Sequence, residues 1–369
     1  MVQQVPQSGI LGNSSFKNLI INGDMSIAQR ATSTASITGN GYHTVDRMNS
    51  IISSLGTWTQ SQSTTVPTGQ GFTKSLKMDC TSADASPGAS DILRIQQAIE
   101  GQNLQHLKYG TSSAESTTLS FWVRSNKTGT YVIQLLNGAV SRQVGKTYTI
   151  SSADTWEKKT ITFPGDTSTA LDNDNTAELY VQFCLGTGTD RSSGTLSSTW
   201  KSYAAADQFA GQTVNLADST SNEWYITGIQ LEVGTGASDF EHLPFDVQLN
   251  RCFRYYLDYA NTDADIINPG TGIYLCNCFY YQADNVLGFL NFPVPMREEP
   301  TLTTADASNA FYAYHNNQGD GLNSLSANAQ STRVGVMLQN SDGDASGTIG
   351  HAGAFYLNSP NAFNLSAEI

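Results

Sequence analysis

Apolar and polar residues alternate with a period of two in short runs along most of this chain. Between 224 and 233, Tyr225, Thr227, Ile229, Leu231 and Val233 alternate with the residues between them, and Gly234 and Gly236 end the run. A period of two sends successive side chains to opposite faces, as in a β-strand. Leu119, Phe121 and Val123 alternate in the same way with Ser120, Trp122 and Arg124. Further strands are expected over 130–136, 148–150, 159–163 and 179–185, with turns at 126–129, at Asn137-Gly138 and at Pro164-Gly165. Many short strands between frequent turn signals predict a β-sandwich or jelly roll over residues 18–248.

The same reading divides the rest of the chain. Residues 1–17, with Gln, Pro and Gly and no helical stripe, form an expected N-terminal arm. Over 90–100, Ile92, Ile95, Gln96 and Ile99 have helical spacing with Gly101 as a stop, and a strand from Ile92 to Gln96 fits equally well. Leu249, Cys252, Phe253 and Tyr256 fall on one face of a helix expected over 249–259, connecting two domains. Residues 260–369 read as a smaller C-terminal β-sandwich domain, with strands over 273–281, 287–292, 333–338 and 353–358. Two polar stretches, 187–199 and 202–222, carry few strand signals. They suit recognition loops or neutral insertions. The fold class expected is all-β, with no repeat of fixed period and no coiled-coil heptad.

Composition narrows the function. Charged residues make up 14% of the 369, and Ser, Thr, Asn, Gln and Gly supply the polarity. A net charge of −13 opposes phosphate backbones and anionic bilayers, so no nucleic-acid partner is expected. No run reaches 18 apolar residues, so no membrane insertion is expected, and residues 1–11 lack the features of a signal peptide. The five cysteines, Cys80, Cys184, Cys252, Cys276 and Cys278, are scattered. The C-x-C pair at 276 and 278 matches neither a redox motif nor a zinc knuckle and reads as two core side chains, which suits assembly in a reducing cytoplasm.

No catalytic motif emerges, and the chain reads as a non-enzyme with no catalytic residues. It lacks G-x-S-x-G and a phosphate loop, and its five histidines have no metal spacing. Asp172, Asp174 and Glu178 suggest a calcium loop, but the required glycine is Ala177. The pairs Asp263/Asp265 and Asp342/Asp344 read as turn residues. Aromatic rings remain, because sugars stack their C–H faces on flat rings. Trp58, Trp200, Tyr203, Tyr312, Tyr314 and His315 lie in polar or loop-like contexts and suit glycan platforms, although an exposed ring in a trimer is more often a subunit contact. Of these, Trp200, Tyr203, Tyr312, Tyr314 and His315 are the ligand-binding candidates, with loops around 310–321 foremost.

An ordered set of motifs carries a family resemblance. It comprises Asn18-Leu-Ile-Ile-Asn-Gly-Asp-Met25 with Gln29 and Arg30, then Val45-Asp46-Arg47, Leu119-Ser-Phe-Trp-Val-Arg124 and Trp156 to Phe163. It continues with Gln230-Leu-Glu-Val-Gly234, Phe240-Glu-His242, Arg251-Cys252, Arg254-Tyr-Tyr256, Phe292 to Arg297 and Leu365 to Ile369. The set, over residues 15–369, resembles bacteriophage tail-fibre and receptor-binding virion proteins with a carbohydrate-binding-like jelly-roll domain. The resemblance implies a trimeric tail fibre that binds a bacterial surface polysaccharide, assembled in the host cytoplasm and located on the virion. The alternative it leaves open is a capsid decoration, head fibre or tail connector without receptor binding. It also implies that the arm docks other virion proteins. Related jelly rolls hold a structural calcium near their first and last strands, for which Asn22, Asp24 and Glu232 supply oxygens. Otherwise Glu232 bonds backbone N–H groups, and no other cofactor is expected.

Overall fold

The computed structural model describes residues 16–260, 272–304, 306–340, 343–358 and 363–369. Thirteen strands build the N-terminal domain as two facing antiparallel sheets. The first runs in the order β1 (Ser33–Ile37), β4 (Thr57–Ser63), β5 (Ser75–Ser82), β13 (Glu223–Val233), β7 (Thr117–Ser125), β10 (Glu157–Phe163). The second runs β12 (Lys201–Ser202), β9 (Arg142–Ile150), β8 (Gly129–Asn137), β11 (Ala177–Thr187), β6 (Ile92–Glu100), β3 (Asn49–Ser53), β2 (Gly41–Tyr42). This is the expected jelly-roll sandwich. Leu119, Phe121 and Val123 of β7 point between the sheets, where Phe121 meets Phe183 and Tyr148 edge-on at 5.3 and 5.2 Å.

Strand β13 departs from the simple alternation. Trp224 and Ile226 face the core, and so do Ile229 and Leu231, so the inward phase changes from even to odd positions. The register slips between Thr227 and Gln230, and Gly228 lies there at φ 63°. A bulge with a left-handed glycine makes that switch at little steric cost. The apolar run 18–22 forms no strand. It lies along the bulge instead: the Leu19 amide donates to the Leu231 carbonyl at 2.9 Å, and the Ile229 amide to the Gly23 carbonyl at 2.9 Å. The Asn18 side chain bonds both Ile229 and Leu231. The opening and closing motifs are therefore one unit, each satisfying polar groups the other leaves open.

Two further expectations are resolved by burial. Residues 92–100 are a strand, bonded to β11 and β3. Leu93, Ile95 and Ile99 fill the core, while Ile92 is buried on the other face with Val132, Cys184 and Phe209. Burial on both faces removes the alternation that identifies a strand. Phe209 belongs to the polar stretch 202–222, which folds back over the second sheet, and the Gln208 amide donates to Gln182 on that sheet at 3.1 Å. Much of this stretch is a cover and not a free loop.

The expected helix over 249–259 is a shorter one set earlier, α1 (Phe245–Phe253). Tyr256 and Leu257 leave it for strand β14 (Tyr256–Asp258), because pairing with β23 (Phe363–Ser366) buries both. β17 (Thr301–Thr304) completes that three-stranded sheet. Facing it is a seven-stranded sheet in the order β19 (Gln318–Leu322), β18 (Phe311–His315), β22 (Ala352–Leu357), β15 (Ile273–Gln282), β16 (Asn285–Asn291), β21 (Gly335–Asn340), β20 (Ser326–Ala327). Cys276 and Cys278 lie in the core of this second sandwich, and all five cysteines are buried free thiols. Asp263, Asp265 and Asp342, with residues 1–15 of the arm, lie outside the described residues. Among the described residues no helix is long and apolar enough to cross a membrane.

Charges join the two domains. Glu368 pairs with Arg47 and, at 3.1 Å, with Arg30. The Arg30 guanidinium lies 3.5 Å from the Tyr256 ring centroid and that of Arg47 3.6 Å from Tyr255. Glu100 receives Arg254 at 2.7 and 2.6 Å and the Tyr255 hydroxyl at 2.5 Å. Asp46, buried beside this network, accepts the Gln29 amide at 2.9 Å. Burial pushes its pKa up from 3.8 to about 6, against the opposing pull of Arg30 and Gln29. Between pH 4 and 6 the folded protein therefore keeps a proton that the unfolded chain has released, and Asp46 costs stability progressively as pH rises through that window. Denaturation of wild type and Asp46→Asn across pH 4–7 is expected to show this falling contribution in the wild type alone. Parallel curves would contradict the assignment.

Candidate functional site

The site is built by alternation on strand β18. Phe311, Ala313 and His315 point into the second sandwich, while Tyr312 and Tyr314 point outward, with Tyr314 49% exposed. Asn316 and Asn317, at φ 47° and 61°, make the two-residue turn into β19. Two consecutive left-handed residues match a type I′ hairpin and its strand twist. The expected loop around 310–321 is thus a rigid hairpin, because Asn-Asn supplies the turn without glycine.

Register extends the tyrosines into a surface. Tyr312 stands opposite Tyr356 of β22, which stands opposite Tyr274 of β15. Ring centroids are 5.6 Å apart for Tyr312 and Tyr314, 5.2 Å for Tyr314 and Tyr356, and 5.8 Å for Tyr356 and Tyr274. Four rings therefore form a continuous strip over three strands. The Tyr274 hydroxyl donates to exposed Asn277 at 3.0 Å. Phe279 and Tyr281 of β15 and Phe289 of β16 continue the exposed aromatic face. A contiguous aromatic patch of this kind marks an interaction surface, and such rings with neighbouring amides suit the C–H faces and hydroxyls of sugars.

The other candidate aromatics lie elsewhere. His315 is buried, 4.5 Å from Tyr280 between ring centroids. Trp200 packs on the first core, edge-on to Tyr109 at 5.7 Å, and its N–H donates inward to the Pro164 carbonyl at 2.7 Å. Tyr203 is half-buried beside the second sheet, its amide bonded to the Ser141 carbonyl at 2.8 Å. Trp58 is fully in the core. Of the ligand-binding candidates only Tyr312 and Tyr314 are brought together. Tyr274, Phe279, Tyr281, Phe289 and Tyr356 were not anticipated as members of the site. The available signal was aromatic residues at both alternating phases of 273–281, so that they could not all be buried; Tyr274, Phe279 and Tyr281 face solvent and Tyr280 the core.

The residues named for calcium do not fit that ion. The Asn22 side chain is buried, donating to the carbonyls of Ile27 and Asp46 and accepting the Ile27 amide. Glu232 accepts the Ser238 amide and hydroxyl at 2.8 and 2.7 Å and the Gln230 amide at 2.9 Å. Asp24 is bonded to the Ser26 hydroxyl at 3.0 Å. These oxygens serve separate internal bonds. Among the described residues no group of three His, Cys, Asp or Glu side chains is placed to hold a metal ion.

No protein-family model matches the chain, and no curated protein matches it. Several solved structures match part of the chain at low similarity. The enzymatically active domain of bacteriophage CBA120 tailspike protein 4 has 12% identity and a TM-score of 0.31, and the match covers 59% of this chain and 22% of that one. A putative sugar binding protein from Bacteroides thetaiotaomicron has 12% identity and a TM-score of 0.33, covering 59% of this chain and 100% of that one. TmCBM61 in complex with β-1,4-galactotriose has 7% identity and a TM-score of 0.27, covering 59% and 99%. This chain thus spans about a fifth of the tailspike structure. At such identities and TM-scores these likenesses say nothing about what this chain binds.

Proposed function

We propose that the protein is a non-enzymatic phage fibre protein that binds a host surface glycan on the outer face of its C-terminal sheet. The observation that carries this reading is the outward-facing strip of exposed Tyr314 and Tyr274 with half-buried Tyr312 and Tyr356, set at fixed spacing by strand register. Strands hold the rings rigidly, so little ordering entropy is spent when a flat sugar face lands on them. The ordered motif resemblance supports the virion setting and a homotrimer. Three copies of a weak site would raise apparent affinity by avidity.

A second reading has its own observation. The same patch includes Phe279, Phe289 and Tyr281, a large apolar area that a second copy could cover, as in a purely structural capsid or tail component. Labelled protein mixed with intact host cells separates the two. Saturable binding, competed by isolated surface polysaccharide without release of reducing ends, is the expected result. A folded oligomer that does not bind cells would favour the structural reading, and new reducing ends would replace binding with cleavage.

A further inference from the structure

A cleft of about 420 Å³ opens where the two domains meet, within the size range of small-molecule sites, which favour domain junctions. Leu19, Ile21 and Ile99 form an apolar part of its lining. Its charged groups are treated unequally. Arg254 is neutralised by Glu100 through two hydrogen bonds. Arg251 lines the same cleft with one hydrogen bond, a 3.3 Å contact to the Asn18 carbonyl, and among the described residues it forms no ion pair. Glu241, the carboxylate that acts on it from a distance, is occupied by the amides of Phe16 and Asn18 at 2.8 and 3.0 Å. Burial lowers the Arg251 pKa, so its charge is held at a cost. Asn103 and His106 stand exposed at the rim, and their side chains make no hydrogen bond within the described chain.

We propose that this cleft binds an acidic sugar of the uronic acid class, with its carboxylate on Arg251. The fork of N–H donors on a guanidinium matches a carboxylate in two parallel bonds. The sugar ring then lies against Leu19, Ile21 and Ile99, and its hydroxyls reach Asn103 and His106. The site is separate from the tyrosine strip and does not depend on it.

Calorimetric titration of the full chain with D-glucuronate tests this, with D-glucose and acetate as comparison probes. Glucuronate is expected to bind saturably, and glucose and acetate each about tenfold more weakly or worse, since one lacks the charge and the other the ring. Arg251→Gln should lose about tenfold in affinity. Asn103→Asp, at an exposed rim position that leaves packing intact, should weaken glucuronate by placing a like charge beside it. Tyr314→Ala should leave glucuronate binding unchanged, which separates this site from the proposed glycan surface. No saturable glucuronate binding, equal binding of glucose or acetate, or undiminished binding in Asn103→Asp would overturn the proposal.

Discussion

Arg47→Met is expected to cost about 3–5 kcal/mol in urea denaturation, the largest effect of any single change at the domain joint. Arg47 is 1% exposed, ion-paired to Glu368, bonded to the Ala98 carbonyl at 2.8 Å, and stacked on Tyr255. Methionine fills part of the space but leaves Glu368 with fewer partners in a site where that side chain is only 8% accessible. A buried carboxylate that keeps Arg30 but loses Arg47 is the costly species, more than the lost attraction itself. Two consequences follow. Replacing both partners, as Arg47→Met with Glu368→Leu, should recover part of the loss. Because Glu368 follows β23 of the C-terminal domain while Arg47 precedes β3, calorimetry of the single variant should separate the unfolding of the two domains. A loss below about 1 kcal/mol would mean that the pair behaves as a solvated surface bridge.

Tyr314→Ala is the second large expectation. Removing the ring takes away the middle of the strip, in contact with both Tyr312 and Tyr356. Central aromatic anchors carry a disproportionate share of interface energy, so affinity for a surface oligosaccharide should fall about tenfold or more. On whole cells the proposed trimer would make the fall steeper, because the loss repeats in every subunit. Stability should change little, since half of the side chain already faces water. Trp200→Ala gives the contrast. That ring packs on the first core and donates to a carbonyl, so its loss should cost about 3 kcal/mol in stability. Glycan affinity per folded molecule should stay as it was.

These two sites differ in how far the sequence announced them. The sandwich itself was legible because β7, β8, β10 and β11 each bury a core-facing set of residues and are bounded by turn residues. Strand β6 stayed open between helix and strand, because burial on both faces removes the alternation. The phase change in β13 was hidden by Gly228, a residue that reads as a strand interruption without saying which face follows. The motifs that carried the family resemblance proved to have a physical meaning of their own. Arg30, Asp46, Arg47, Arg254, Tyr255, Tyr256 and Glu368 converge on the domain joint. Nothing local in the sequence could reveal that Arg47 meets a residue 321 positions away.

Part of the proposed binding surface was visible in Tyr312 and Tyr314, which alternate in a short segment of mixed polarity. Its extension to Tyr356 and Tyr274 required the pairing of β18 with β22 and of β22 with β15, which is a matter of register. His315 was grouped with the tyrosines by proximity in sequence, although alternation sends it to the opposite face.

The most direct measurement is isothermal titration of a purified host surface oligosaccharide into wild-type protein and into Tyr314→Ala, with the oligomeric mass of each determined by sedimentation. Saturable wild-type binding that falls about tenfold or more in Tyr314→Ala, at unchanged oligomeric mass, is the predicted result. Equal affinities, or a variant whose oligomer dissociates while its glycan binding persists, would contradict a glycan-binding role for the tyrosine strip and assign that face to contact between copies.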